Sequence, residues 1–139
     1  MSLVLDNSVT MRWFFEDGSE DDLTYAEDVL ISIMDSSAIV PVTWALEVAH
    51  VLTRAEAKSL IKPEQTTAFI RMLKGLEIKT DETTHEFALS DTLGIARKYT
   101  LSAYDASYLE LALRQDSPLA TLDLGLRKAA KKSGVKIFS

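Results

Sequence analysis

"LVLDNSV", residues 3–9, sets an unbroken apolar run against a carboxylate and two hydrogen-bonding side chains. Leu3, Val4 and Leu5 do not alternate with polar residues, which is the pattern of a strand covered on both faces. The run stops at Asp6, and two explanations compete there. Asp6 caps a helix running from Ser8 to Phe15, or it stands at the carboxyl end of a buried strand, where α/β sheets place their ligands. These seven residues leave both open.

Outward from this stretch the pattern repeats. "SAIVP" (37–41), "LEIKT" (76–80), "PLATL" (118–122) and "VKIF" (135–138) read as further short strands. Helical segments separate them. Leu23 to Met34 places Ala26, Leu30 and Ile33 on one face, and "VTWALEVAHVLTRAEAK" (42–58) is strongly apolar with Thr43 as its cap. Pro63 opens a helix that Gly75 stops, and a helix from about Thr83 to Lys98 buries Phe87, Leu89, Leu93 and Ala96. Ser102 opens "AYDASYLELALRQ" (103–115), and "GLRKAAKKS" (125–133) follows. Short strands separated by helices need crossover connections, hence a parallel sheet covered on both faces. The expectation is one domain over residues 1–139, a three-layer α/β/α sandwich with a central, mainly parallel sheet of about five strands.

Composition narrows the function. Hydrophobic content of 47% and charged content of 26% are ordinary for a globular chain. The apolar runs fall far short of the ~20 residues of a membrane span. Zero cysteines exclude disulfides and thiolate metal sites and suit a reducing cytoplasm. No G-x-G-x-x-G or Walker pattern is present, which argues against a nucleotide cofactor. The net charge of −6 is unevenly spread: residues 1–50 hold one cation against ten acids, and residues 51–139 hold fourteen cations against eleven acids. The last thirteen residues carry Arg127, Lys128, Lys131, Lys132 and Lys136 and no acid. They form either the solvated face of a helix or a patch for backbone phosphates.

Four acids sit in apolar surroundings: Asp6, Glu47 in "WALEVAHVL", Asp105 in "SAYDASYLELAL", and Asp123 directly after "LATL". Each has a local explanation. Asp6 and Asp123 suit helix N-caps, Ser102 and Asp105 have capping-box spacing, and Glu47 lies in a first helical turn, where the dipole favours an anion. Capping does not explain acids on faces otherwise filled by Val, Ala, Leu and Tyr. In a parallel sheet, all four positions open on the rim at the strands' carboxyl ends. Carboxylates gathered there repel one another unless a cation neutralises them. An all-oxygen set points to Mg²⁺ or Mn²⁺, and phosphodiester hydrolysis is the task such a centre suits.

"LVLDNSV", "WALEVAHVL", "LSAYDASYLELAL" and "PLATLDLGLRKAA" resemble, in order and approximate spacing, the motifs of PIN-domain ribonucleases, especially the VapC toxins of bacterial toxin–antitoxin pairs. The resemblance spans residues 3–138. It implies that Asp6, Glu47, Asp105 and Asp123 are the acidic quartet and that Ser8 and Thr121 are the hydroxyls that assist it. It further implies Mg²⁺-dependent cleavage of RNA, usually a tRNA or ribosomal RNA, a homodimer, and silencing by a small VapB-like antitoxin. Arg127 and Lys128 are candidates to hold the RNA backbone. His50 departs from the family pattern, where many relatives carry Asn.

Rival readings are weaker. Glu47 and His50 form an E-x-x-H pair, but a di-iron bundle needs a second such pair. His50 is expected to be packed or hydrogen-bonded, and Trp13, Phe14, Phe15 and Trp44 to be core or dimer-interface aromatics. A non-catalytic PIN-like module that binds a protein has no need of four costly acids. A phosphorylated receiver domain resembles its family by an adjacent acidic pair after the first strand, and here Asp6 is followed by Asn7.

Overall fold

A computed structural model describes residues 2–139. Four strands form one sheet: β1 (Ser2–Leu5), β2 (Ser37–Val40), β3 (Ile78–Thr80) and β4 (Leu119–Ala120), in the order β3-β2-β1-β4. All pairings are parallel, with Leu3 opposite Ala38, Ala38 opposite Ile78, and Val4 opposite Leu119. Leu3, Val4, Leu5, Ala38, Val40, Leu119 and Ala120 are all buried, as strands covered on both faces require.

The expected fifth strand at 135–138 reduces to a single parallel bridge between Leu119 and Ile137. Leu119 N–H donates to the Lys136 carbonyl and Phe138 N–H to the Leu119 carbonyl, both at 2.9 Å. β4 is only two residues long, so its outer edge has no room for a longer ladder.

Helices supply the crossovers. After β1 come α1 (Asn7–Thr10), a 3₁₀ turn (Met11–Trp13) and α2 (Glu20–Asp35). After β2 come α3 (Trp44–Ala57) and α4 (Pro63–Lys74). After β3 come α5 (Thr84–Phe87), a π turn (Ala88–Thr92), α6 (Leu93–Tyr99) and α7 (Ala103–Gln115); α8 (Leu124–Ser133) follows β4. From β1 to β3 the chain steps one way across the sheet, and from β3 to β4 it returns past β1. Right-handed crossovers put these two sets of helices on opposite faces. The three layers follow, and the reversal leaves a topological switch point between β1 and β4.

Most helix boundaries have visible causes. Ser19 accepts from Asp22 N–H at the start of α2, and Ser102 from Asp105 N–H at the start of α7. Gly134 closes α8 at φ +87°, a conformation that glycine adopts without strain. Thr43 does not cap α3: it is already helical, and its hydroxyl makes no cap hydrogen bond. α2 buries Ala26, Val29 and Ile33, with Leu30 half-buried.

The expected continuous helix at 83–98 is instead broken by the π turn, and Leu89 and Leu93 are exposed, Leu89 by 88%. One extra residue per turn rotates the helical phase, so spacing that matched a buried stripe no longer points inward. Trp44 is buried, and Trp13, Phe14 and Phe15 pack half-buried against the core, with Phe14 stacked on Phe69 at 4.7 Å. No helix among the described residues is long and apolar enough to cross a membrane.

Candidate active site

The switch point is where the acids meet. Asp6 follows β1 directly, Thr121 and Asp123 follow β4, and Glu47 and Asp105 stand in the first turns of α3 and α7. In open α/β sheets this crevice, outside the carboxyl ends of the strands, is the usual ligand position.

Asp6 is 5% exposed, and its side chain does not cap α1. Its Oδ2 accepts hydrogen bonds from Ser8 Oγ at 2.6 Å and from Thr121 Oγ1 at 2.7 Å. Each hydroxyl is itself held from behind: Leu122 N–H donates to Ser8 Oγ and Asp123 N–H to Thr121 Oγ1, both at 3.0 Å. A hydroxyl that accepts from a backbone N–H has its own proton free to give, and both protons go to Asp6. The carboxylate at the end of β1 is therefore clamped to the loop after β4, not spent on a helix end.

Asp123 does both jobs. It caps α8 by accepting Leu126 N–H at 2.8 Å, and its charge bears on Asp6 and Asp105. Glu47 Oε1 accepts from the Tyr108 hydroxyl at 2.6 Å, which ties α3 to α7. The notional Cβ of an alanine at Gly125 would lie 3.3 Å from Asp123 Oδ2, so α8 approaches the acid closely there.

The electrostatics register the crowding. Burial pushes the Asp6 carboxyl above the ordinary range; the two hydroxyls oppose this and Asp123 adds to it. Burial likewise raises Glu47, with Tyr108 opposing and with Asp6 and Asp105 adding. Asp105 is pushed up to about 6, by burial first and then by Asp6 and Asp123. Repulsion thus links all four carboxylates.

No cluster of three or more Asp, Glu, His or Cys side chains placed to hold a metal ion occurs among the described residues. Mg²⁺ does not need one, since it retains several waters and is commonly held through one or two carboxylates. The donor set is all oxygen, and burial together with neighbouring acids disfavours the charged forms of Asp6, Glu47 and Asp105. In both respects it fits a hard divalent cation.

The remaining candidates divide. Lys128 is exposed on α8. Arg127 is half-buried: its Nε donates to the Thr121 carbonyl at 2.6 Å, and its guanidinium lies 4.7 Å from the centre of the Tyr25 ring. It braces the loop that carries Thr121. His50, expected to be packed or hydrogen-bonded, is exposed and borders a cleft shared with Glu47 and Asp105.

The sequence places Tyr108 on an otherwise apolar helix face, and its contact with Glu47 has one sequence signal, an i+3 position from Asp105 on the same helix. Its hydroxyl and those of Ser8 and Thr121 orient acids rather than react. Ser8→Ala and Thr121→Val should each lower the melting temperature by a few degrees, as thermal melts measure, because each strands a backbone N–H and takes a hydrogen bond from the buried Asp6 carboxylate.

A parallel α/β domain with acids about its switch point belongs to the class of open sheets that bind ligands at the carboxyl ends of their strands. The sequence model of the PIN domain matches residues 3–132, and the chain belongs to the PIN-domain family. Three solved structures are similar. PAE2754 from Pyrobaculum aerophilum is 21% identical, with 93% of this chain and 87% of that one covered at a TM-score of 0.61. VapBC2 from Rickettsia felis, bound to a DNA fragment from their promoter, is 8% identical, with 99% and 98% covered at a TM-score of 0.69. FitAcB from Neisseria gonorrhoeae is 19% identical, with 100% and 97% covered at a TM-score of 0.61. No curated protein matches the sequence.

Proposed function

We propose that this PIN-domain protein is a Mg²⁺-dependent endoribonuclease of the VapC type, the toxin of a toxin–antitoxin pair with a small VapB-like partner. PIN domains are generally nucleases, and VapBC2 is among the structures that this fold resembles. The observation that carries the reading is the gathering of Asp6, Glu47, Asp105 and Asp123 about the switch point, where burial first and the neighbouring acids second raise Asp6, Glu47 and Asp105 above the ordinary carboxylate range. A helix cap needs one acid; buried acids that also repel one another ask for a cation.

Asp6, Glu47, Asp105 and Asp123 would hold that cation, one or two of them directly and the others through its waters, with Mn²⁺ able to replace Mg²⁺. When bound, it supplies the Lewis acidity for phosphodiester hydrolysis. The chain's own groups do the positioning. Ser8 and Thr121 fix the Asp6 carboxylate, Tyr108 fixes Glu47, and Arg127 steadies the Thr121 backbone. Carboxylates that accept hydrogen bonds from a water orient it for attack on phosphorus. Lys128, exposed five residues after Asp123, supports the RNA backbone by charge.

The test is incubation of total RNA, including tRNA and ribosomal RNA, with the purified protein. Discrete cleavage in Mg²⁺ that stops in EDTA is expected. Cleavage that survives EDTA, or none in any RNA pool, overturns the proposal.

A further inference from the structure

We infer that the cleft beside Glu47 and Asp105 seats one unpaired base of the substrate next to the bond being cut, and that Tyr104 and Thr43 read it. The inference rests on the ribonuclease reading and extends it to nucleotide specificity. The cleft has a volume of about 610 Å³ and is formed by Asn7 with the first turns of α3 and α7.

Two oxygens there are unusual. Asn7 Oδ1 and Thr43 Oγ1 are buried without a hydrogen-bond partner among the described residues. Buried polar atoms are rarely left unpaired, and each exception calls for an occupant. An amide oxygen only accepts, whereas a hydroxyl both gives and accepts. Asn7 therefore asks for an N–H and Thr43 for either a donor or an acceptor, and the edge of a nucleobase carries both kinds of group.

The rim supplies the rest. Tyr104 is 62% exposed and Leu46 73% exposed, and His50 borders the same cleft. An aromatic ring open to solvent at the edge of a site is a stacking platform for an unpaired base. A cation held at Glu47 and Asp105 would draw the scissile phosphate to the acids, which leaves the rest of the cleft to the neighbouring base.

The experiment uses the full chain and randomised single-stranded RNA in Mg²⁺, with the new 5′ ends sequenced. Wild type is expected to favour particular bases at one position flanking the cut. Thr43→Val is expected to change that preference at an unchanged melting temperature, because the hydroxyl it removes has no partner. Tyr104→Ala should lower kcat/KM on the favoured sequence by roughly fivefold or more, the loss of one stacked base, and Tyr104→Phe should retain it.

A second arm needs no cleavage. RNA carrying 2-aminopurine should lose fluorescence on binding wild type and Tyr104→Phe, but not Tyr104→Ala. Unchanged cut-site preferences and equal quenching in every variant overturn the inference, leave the nuclease reading intact, and assign the cleft to a protein side chain. Quenching by wild type without cutting overturns the nuclease reading and keeps the base site.

Discussion

Replacing Arg114 with methionine is expected to lower the stability of the fold by about 3–5 kcal/mol. For 139 residues that is a fall in melting temperature of roughly 10–15 °C. All five guanidinium donors of Arg114 are used. Nε donates to Glu110 at 2.7 Å, Nη1 to Asp81 and Thr83 at 3.1 and 2.9 Å, and Nη2 to Asp81 and Glu110 at 2.6 and 3.0 Å. The cation also lies 4.2 Å from the centre of the Phe87 ring. Asp81 and Glu110 are both buried, so methionine leaves two carboxylates without their counter-charge. The loop that opens α5 then loses its clamp to α7. Restoring neutrality with Asp81→Asn and Glu110→Gln should recover part of the loss.

The pH dependence of this network has a definite sign. Arg114 holds the Asp81 carboxyl far below the usual range. A depressed folded-state value stabilises the protein above the ordinary carboxylate pKa near 3.9, and that stability is lost as pH falls toward the folded value. Wild type should therefore weaken on acidification below about pH 5, and Arg114→Met should show a shallower slope. Urea titrations at neutral and acid pH measure both. A loss under about 1 kcal/mol at neutral pH would mean that the network is no stronger than a surface ion pair.

Asp6→Asn should reduce RNA cleavage by more than the 10–100-fold typical of an outer partner, while leaving the melting temperature unchanged or higher. The amide oxygen can still accept from Ser8 and Thr121, so the clamp between β1 and the loop after β4 is kept. The substitution removes a buried charge that Asp123 opposes. Asp6→Ala is the contrasting case, because it strands the two hydroxyls and should destabilise. Rates on a defined RNA together with thermal melts separate the two variants. Full activity in Asp6→Asn would remove its charge from the mechanism.

The strands and the acids were legible because they are encoded locally. The unalternating Leu3–Leu5 marks a strand covered on both faces, and the carboxylate after it marks the sheet's rim. The choice between cap and site proved partly false, since Asp123 caps α8 and also bears on Asp6 and Asp105. A strand end and a helix start are the same place in a parallel α/β fold, so one acid can serve both. Other features had no local trace. Asp81 and Arg114 meet across 33 positions, and only the i,i+4 spacing of Glu110 and Arg114 hinted at a pair. The inward and outward faces at Leu89 and Leu93 were reversed because apolar spacing does not reveal a π turn. The exposure of His50 depends on which face of α3 meets its neighbours, and the apolar residues around it obscured that.

The central claim is that the four carboxylates form one divalent-cation centre, and thermal melting of wild type and Asp105→Asn, each in Mg²⁺ and in EDTA, tests it most directly. A ligand at a hundredfold excess over its dissociation constant adds about 2.7 kcal/mol to the native state. Wild type should show a gain of that order on adding Mg²⁺. In EDTA, Asp105→Asn should already be the more stable of the two, because one charge of a mutually repelling set is gone. It should then lose most of the Mg²⁺ gain. Equal Mg²⁺ shifts in the two proteins, or no shift in wild type, would contradict the account and return Asp105 to the first turn of α7 as a capping residue alone.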